Sequence, residues 1–140
     1  MTQEEYLSQR VEPDLAWYDK RAGQYRKLHF GARISIIVFS ALITILTSVE
    51  FKYKNTAIAV LGALVVIITS ISELMKFKDQ WFEYRNTAET IKSEKVYFLT
   101  GTEPYKNEAD SFNTFVKNYE TIIRTEHQNW RLLLDAKAQE

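Results

Sequence analysis

Hydroxyl side chains inside two long apolar runs are the residues of this sequence whose type and spacing could do chemistry. Ser40, Thr44 and Thr47 recur along one side of the first run, and Thr69 lies in the second. Hydroxyls on an apolar helix can line a water-filled path for ions. They can equally hydrogen-bond to a neighbouring helix or to their own backbone, which leaves no path. Both interpretations stay open at the level of sequence.

Three charged residues flank these hydroxyls and would stand at the mouths of such a path. Arg33 precedes the first run, Glu50 follows it, and Glu73 follows the second run. Arg33 favours anions whereas the carboxylates favour cations, so the sequence sets no ion selectivity. Because two helices cannot enclose a path, the pore hypothesis requires a homo-oligomer.

Residue types typical of other chemistry are sparse. His29 and His127 are far apart, the chain has no cysteine, and the four glycines form no phosphate-binding loop. We therefore expect no enzyme activity, no metal and no cofactor. Charges balance at 18 of each sign, which argues against a nucleic-acid partner.

The elements that must position the hydroxyls are two uncharged runs, residues 34–49 and 56–72, separated by six residues. A membrane-spanning helix needs about 20 residues, and apolar flanks lengthen both runs to that size. A soluble helical bundle is the alternative, but its helices carry charge on an outward stripe, and neither run has one. The pattern predicts an all-α membrane protein built on a two-helix hairpin, with membrane lipid as a partner.

Basic residues near the ends of the runs predict the topology. Eight lie beside the outer ends of the runs and two in the hairpin loop, which places both termini in the cytoplasm. The expected location is the bacterial inner membrane, as a multi-pass protein. The absence of cysteine agrees with a cytoplasmic bulk.

We expect a single domain, 1–140, with six segments. These are an N-terminal cytoplasmic helical arm (1–29), transmembrane helix 1 (30–51), a short external loop (52–55), transmembrane helix 2 (56–75), a cytoplasmic helix extension (76–101), and a turn with a C-terminal cytoplasmic helix (102–140). The first helix should run unbroken from near Pro13 into the first span, and the second span should continue unbroken past Ser72. Gly101 should end that helix.

The last helix should open near Asn107 and be amphipathic. Its apolar stripe can pack on the cytoplasmic arms of the same chain or on another subunit. The stripe consists of Phe112, Phe115, Val116, Tyr119, Ile122, Ile123, Trp130, Leu133 and Leu134.

Aromatic residues cluster where the two runs leave the apolar region. Tyr18 and Tyr84 lie close to where a membrane-interface belt would be, as does Trp81. Packing between the two cytoplasmic helix extensions is the interpretation we favour for Trp17 and Trp81, because both lie well beyond the apolar core.

The layout resembles the SLATT superfamily of bacterial two-span proteins, which associate with SMODS nucleotide-signal synthases and SLOG sensor domains. The resemblance extends from about Glu12 to Arg131. It rests on the paired spans and on three segments, WYDKRA at 17–22, WFEYRNTAE at 81–89 and EKVYFLTGTEPY at 94–105.

The resemblance implies a pore-forming or membrane-disrupting effector of bacterial defence, triggered by a cytoplasmic signal or partner. This sequence carries no fused sensor, so another protein or a ligand of the cytoplasmic helices would supply the trigger. The rival hypothesis is a non-conducting membrane anchor or scaffold that recruits a partner through its cytoplasmic helical bundle.

Overall fold

The computed structural model describes residues 1–106 and 110–138, with side chains described up to residue 132. The predicted helix start near Asn107 and the side chains of Leu133 and Leu134 lie outside the described residues. Of the described residues, 88% are helical and none lies in a strand. The all-helical prediction is therefore confirmed.

Five α-helices and one π-helical turn make up the described chain. The short helix α1 begins with a capping box, in which the Thr2 hydroxyl accepts from the Glu5 backbone and the Glu5 carboxylate accepts from the Thr2 backbone. Helix α2 covers 36 residues without a break, so the predicted continuous first helix is confirmed. The elements are α1 (Gln3–Tyr6), the π turn (Leu7–Val11), α2 (Glu12–Thr47), α3 (Lys54–Met75), α4 (Phe77–Thr100) and α5 (Ser111–Ala138).

The end of α4 follows the predicted glycine signal. Gly101 adopts a φ of 61°, a conformation that costs glycine little because it has no Cβ. Its N–H donates to the Phe98 carbonyl at 3.3 Å, and the Thr102 N–H donates to the Tyr97 carbonyl at 3.1 Å. These two bonds form a Schellman motif, which satisfies carbonyls that the helix end would leave unpaired.

The junction of α3 and α4 differs from the sequence prediction. The second apolar helix does not continue unbroken, because Lys76 adopts the left-handed conformation with φ 47° and ψ 48°. This conformation costs a residue with a Cβ roughly 1–2 kcal/mol. No glycine or proline marks the position, so sequence propensity gave no signal for the break.

The described chain forms two compact units, one of Met1–Lys20 with Glu83–Glu140 and one of Arg21–Phe82. We call them the terminal unit and the hairpin unit. The terminal unit has a packed core in which Val11, Ile91 and Phe115 have no solvent exposure. Phe115 stacks on Phe98, with ring centroids 4.4 Å apart, and Tyr6 packs edge-on against Phe115.

Four tyrosines of this core donate hydrogen bonds to carboxylates distant in sequence. Burying a phenol is costly unless its hydroxyl finds an acceptor, and each carboxylate supplies a strong one. Two of the pairs join α2 to α5 in opposite directions and so fix their register. The pairs are Tyr6 with Glu120 at 3.0 Å, Tyr18 with Glu126 at 3.1 Å, Tyr119 with Asp14 at 2.7 Å, and Tyr105 with Glu94.

The hairpin unit pairs the second half of α2 with α3 in antiparallel fashion. Residues near position 32 of α2 lie beside residues near position 71 of α3. Both helices are long and apolar enough to cross a membrane, and none of their most apolar stretch is buried in the structure. Ile37 is 66% exposed and Val66 is 64% exposed. The exposed apolar surface of this unit contrasts with the closed core of the terminal unit.

Replacing Lys76 by glycine tests the strain at the junction. Lys76→Gly should leave the free energy of unfolding unchanged or raise it by up to about 1 kcal/mol, because glycine adopts positive φ at little cost. Lys117→Gly, in the exposed interior of α5, should lower it by roughly 1 kcal/mol. Chemical denaturation of the purified protein in mild detergent measures both. Equal losses in the two variants would contradict a left-handed Lys76.

Candidate functional site

A polar cavity of about 350 Å³ lies between α2, the end of α3 and the start of α4, inside the hairpin unit. It brings together three residues that sequence analysis singled out separately, Arg33, Thr69 and Glu73. We call it the polar cavity. Its other lining residues are His29, Ile36, Ser72, Lys76, Phe77, Lys78 and Asp79.

The break at Lys76 builds one wall of the polar cavity. Because α3 ends at Met75 and α4 begins at Phe77, the residues on either side of Lys76 turn toward the same space. Phe77 is buried, and its ring packs against the ring of Tyr25 with centroids 6.3 Å apart. This contact anchors the start of α4 to α2. If α3 continued without a break, Lys78 and Asp79 would lie further along the same helix and would not line this cavity.

The buried hydroxyl of Ser72 is an unusual feature of the cavity. Ser72 Oγ is inaccessible to solvent and has no hydrogen-bond partner among the described residues. A buried polar group left unpaired costs roughly 1–3 kcal/mol.

The predicted path-lining hydroxyls of α2 lie on the helix face that the cavity occupies. Successive helical residues are about 100° apart, so Ser40, Thr44 and Thr47 fall within a sector of roughly 80° that also contains Arg33 and Ile36. The three hydroxyl residues are exposed. A polar stripe therefore runs from the cavity along α2.

Hydrogen bonds of these hydroxyls go to the backbone of their own helix. Thr44 Oγ1 donates to the Ser40 carbonyl at 3.1 Å, and Thr47 Oγ1 donates to the Thr44 carbonyl at 2.6 Å. Thr69 Oγ1 donates to the Val65 carbonyl at 2.8 Å. Their oxygen lone pairs stay open to an ion, to water or to another helix.

Glu50 lies at the far end of the hairpin unit, apart from Arg33 and Glu73. It accepts a hydrogen bond from Lys54 Nζ at 2.8 Å, and its side chain is otherwise exposed. The three predicted mouth charges are thus divided between the two ends, with two at the polar cavity and one at the loop.

The predicted aromatic residues fall into two separate clusters. In the terminal unit, Trp17 contacts Tyr18 with ring centroids 5.0 Å apart and Tyr84 with centroids 5.7 Å apart. In the hairpin unit, Trp81 lies over His29, with centroids 6.4 Å apart, and meets the edge of Phe30. The Trp81 cluster adjoins the polar cavity through His29.

A second cleft, of about 490 Å³, opens beside the Trp17 cluster within the terminal unit. We call it the aromatic cleft. Arg10 bridges Asp14 at 3.3 Å and Glu120 at 3.4 Å at this end of the unit. Its lining residues are Arg10, Asp14, Trp17, Tyr18, Tyr84, Ile123, Glu126, His127 and Trp130.

Burial and carboxylate partners change the acidity of the core tyrosines. Burial raises the pKa of Tyr18 well above its usual range, and the adjacent Glu126 carboxylate raises it further. Burial likewise raises the pKa of Tyr105 to about 12, assisted by its hydrogen bond to Glu94. These phenols therefore act as neutral donors.

Sequence reasoning missed several residues of the polar cavity. In the sequence, His29 is an isolated histidine, and Lys76 and Lys78 are two of the eight basic residues beside the outer ends of the runs. Ser72 carried no signal of its own, because its burial depends on how α2 packs against α3. Among the described residues, no group of three histidine, cysteine or acidic side chains lies close enough to hold a metal ion.

The fold and the cavity define an all-helical protein with two helices of membrane-spanning length. Comparison with known families matches residues 13–112 to the family described as a protein of unknown function, DUF4231, and the chain belongs to that family. No curated protein and no solved structure matches the chain.

The buried tyrosines make the terminal unit sensitive to alkali. Since the pKa of Tyr105 is raised from 10 to about 12, the folded chain holds a proton that the unfolded chain releases. This stabilisation is complete below about pH 10 and is lost as the pH rises toward 12, at up to about 1.4 kcal/mol per pH unit. Tyr105→Phe should flatten that loss, as measured by denaturation in detergent at several pH values.

Tyr97 provides the control for this measurement, because it lies in α4 and is 46% exposed. Tyr97→Phe should retain the alkaline loss of the unchanged protein. An unchanged loss in Tyr105→Phe would show that the Tyr105 proton does not contribute.

Proposed function

We propose that the protein is an integral membrane protein whose hairpin unit crosses the bilayer through α2 and α3. The observation that carries this proposal is the exposure of apolar side chains in a chain that otherwise closes its core. Each square ångström of apolar surface removed from water stabilises a fold by roughly 25 cal/mol. A hairpin unit left in water would therefore lose a large stabilisation. Lipid would cover it.

The lengths of the helices support the same proposal. Helix α3 has 22 residues, which correspond to roughly 33 Å, close to the thickness of a bilayer core. Between its first and last turns, its backbone polar groups are paired within the helix, as a lipid environment requires. The short connection between Thr47 and Lys54 suits a hairpin that returns to the side from which it came.

The charge distribution supports an orientation with both termini in the cytoplasm. Arg33, Lys76 and Lys78 cluster at the open end of the hairpin, whereas the loop carries Lys52 and Lys54. Basic residues are retained on the cytoplasmic side of membranes. We place the polar cavity and the terminal unit on that side, in the bacterial inner membrane.

For the activity, we propose a homo-oligomer that conducts ions or permeabilises the membrane. The polar stripe supports this, because Ser40, Thr44 and Thr47 would face a common axis while apolar faces meet lipid. An apolar groove of about 450 Å³ on another face of the hairpin, lined partly by Gly31, Ala32 and Ser35, offers close approach to a neighbouring helix. The polar cavity would be the cytoplasmic mouth.

The resemblance to SLATT proteins supports an effector role in bacterial defence, with opening triggered by a cytoplasmic signal or partner. The aromatic cleft is an accessible cytoplasmic surface for such a trigger. The alternative function is a non-conducting anchor or scaffold, which the hydrogen bonds of the hydroxyls to their own helix favour.

Cysteine labelling tests the topology, because the chain has no native cysteine. Lys52→Cys, in the loop, should react with a membrane-impermeant maleimide in intact cells. Ser93→Cys, on the exposed face of α4, should react only after the membrane is permeabilised. Equal labelling of both variants in intact cells would contradict the proposed orientation.

Ion flux from liposomes tests the pore. The unchanged protein should release trapped potassium or chloride, and Thr44→Phe should reduce that flux by at least about tenfold, because a bulky apolar ring dewets a narrow path. Ile45→Phe is the matched control, since position 45 lies about 100° around the helix from position 44. It should retain the flux.

A wild-type protein that releases no ions from liposomes would contradict the pore hypothesis. If both spans could then be exchanged for unrelated apolar sequences without loss of function, the protein would be an anchor. Equal inhibition by Thr44→Phe and Ile45→Phe would show that the polar stripe does not line the path.

A further inference from the structure

The polar cavity contains charged side chains of both signs that do not neutralise each other. Within the described residues none of them forms an ion pair, although ion pairs occur elsewhere in the chain, such as Lys95 with Glu12 at 2.9 Å. All five are exposed, so each is available to a ligand. The charged residues are Arg33, Lys76 and Lys78 with Glu73 and Asp79.

The two signs are distributed along the wall of the cavity. Arg33 comes from α2, Glu73 from the last turn of α3, and Lys76 from the junction. The buried Ser72 hydroxyl adds a neutral polar atom without a partner among the described residues. A ligand that carries one positive and one negative group would satisfy more of these side chains than a simple anion or cation.

The position of the cavity indicates where such a ligand would come from. Arg33 immediately precedes the first apolar run and Glu73 immediately follows the second. If the hairpin spans a bilayer, as proposed above, the cavity lies at the level of the lipid headgroups.

We propose that the polar cavity binds the headgroup of a zwitterionic phospholipid with a primary ammonium, phosphatidylethanolamine. Arg33 and Lys76 would bind its phosphate. Glu73 and Asp79 would accept from the ammonium. Phosphatidylglycerol lacks the cation, and the trimethylammonium of phosphatidylcholine has no N–H to donate.

This inference rests on the proposed membrane insertion and adds a specific lipid to it. The residues that bind the headgroup stand at the proposed cytoplasmic mouth.

Native mass spectrometry of the full-length protein in detergent tests the proposal with three probes, the dioleoyl forms of phosphatidylethanolamine, phosphatidylglycerol and phosphatidylcholine. We expect one phosphatidylethanolamine per chain to bind most tightly. Arg33→Gln should weaken its binding by at least about tenfold, because a charge-assisted contact to phosphate is lost. Glu73→Gln should weaken phosphatidylethanolamine severalfold and leave phosphatidylglycerol unchanged or bound more tightly.

Matched controls separate this site from a general preference of cationic surfaces for lipid. Lys27→Gln removes one positive charge from α2 outside the polar cavity, and Glu83→Gln removes one carboxylate from α4 outside it. Both should bind phosphatidylethanolamine as the unchanged protein does. Equal weakening by Lys27→Gln and Arg33→Gln, or no selectivity among the three lipids, would overturn the proposal.

Free phosphoethanolamine distinguishes a lipid from a soluble ligand with the same chemistry. Binding as tight as that of the lipid would overturn the lipid assignment. The binding assay requires no conduction, so a protein that binds the lipid but passes no ions would contradict the pore alone. Circular dichroism verifies that each variant keeps its helical content.

Discussion

Two helices whose central runs carry no charge on any side can cover only one stripe of each other, and this limit shapes the hairpin unit. In the hairpin unit, α2 and α3 meet along one seam, and side chains such as Ile37 and Val66 remain outside it. A helix that is apolar all round needs lipid or other helices around it. The short loop and the charged residues at both ends of the hairpin follow from the same requirement.

The terminal unit solves the opposite problem by closing a small core with polar-tipped aromatics. Tyrosines supply large apolar rings, and their hydroxyls require acceptors once they are buried. Carboxylates on other segments provide them, as in Tyr119 with Asp14 and Tyr18 with Glu126. Each such pair is satisfied in one register only, so the pairs specify how α5 lies on α2 as well as stabilising the contact.

The break at Lys76 connects the fold to the candidate site. A single left-handed residue ends α3 and redirects the chain, so that Lys78 and Asp79 join Arg33 and Glu73 around one cavity. Strained backbone of this kind is retained where the surrounding structure fixes it, and such positions are frequent at functional sites. The mixed charge of the cavity follows from that junction.

Composition and periodicity by themselves determined the helical class, the two apolar helical runs, the long first helix and the glycine end of α4. These features depend on local propensity and on hydrophobic pattern, which sequence expresses directly. Residue type and spacing also singled out Arg33 and Glu73 as candidate mouth charges and Thr69 as a candidate path-lining hydroxyl. The tertiary structure alone decided that these three meet in one cavity, that Glu50 lies elsewhere, and that Ser72 Oγ is buried with no hydrogen-bond partner among the described residues. Such facts depend on the seam between α2 and α3 and on one unfavourable φ at Lys76, and no local pattern encodes either of them.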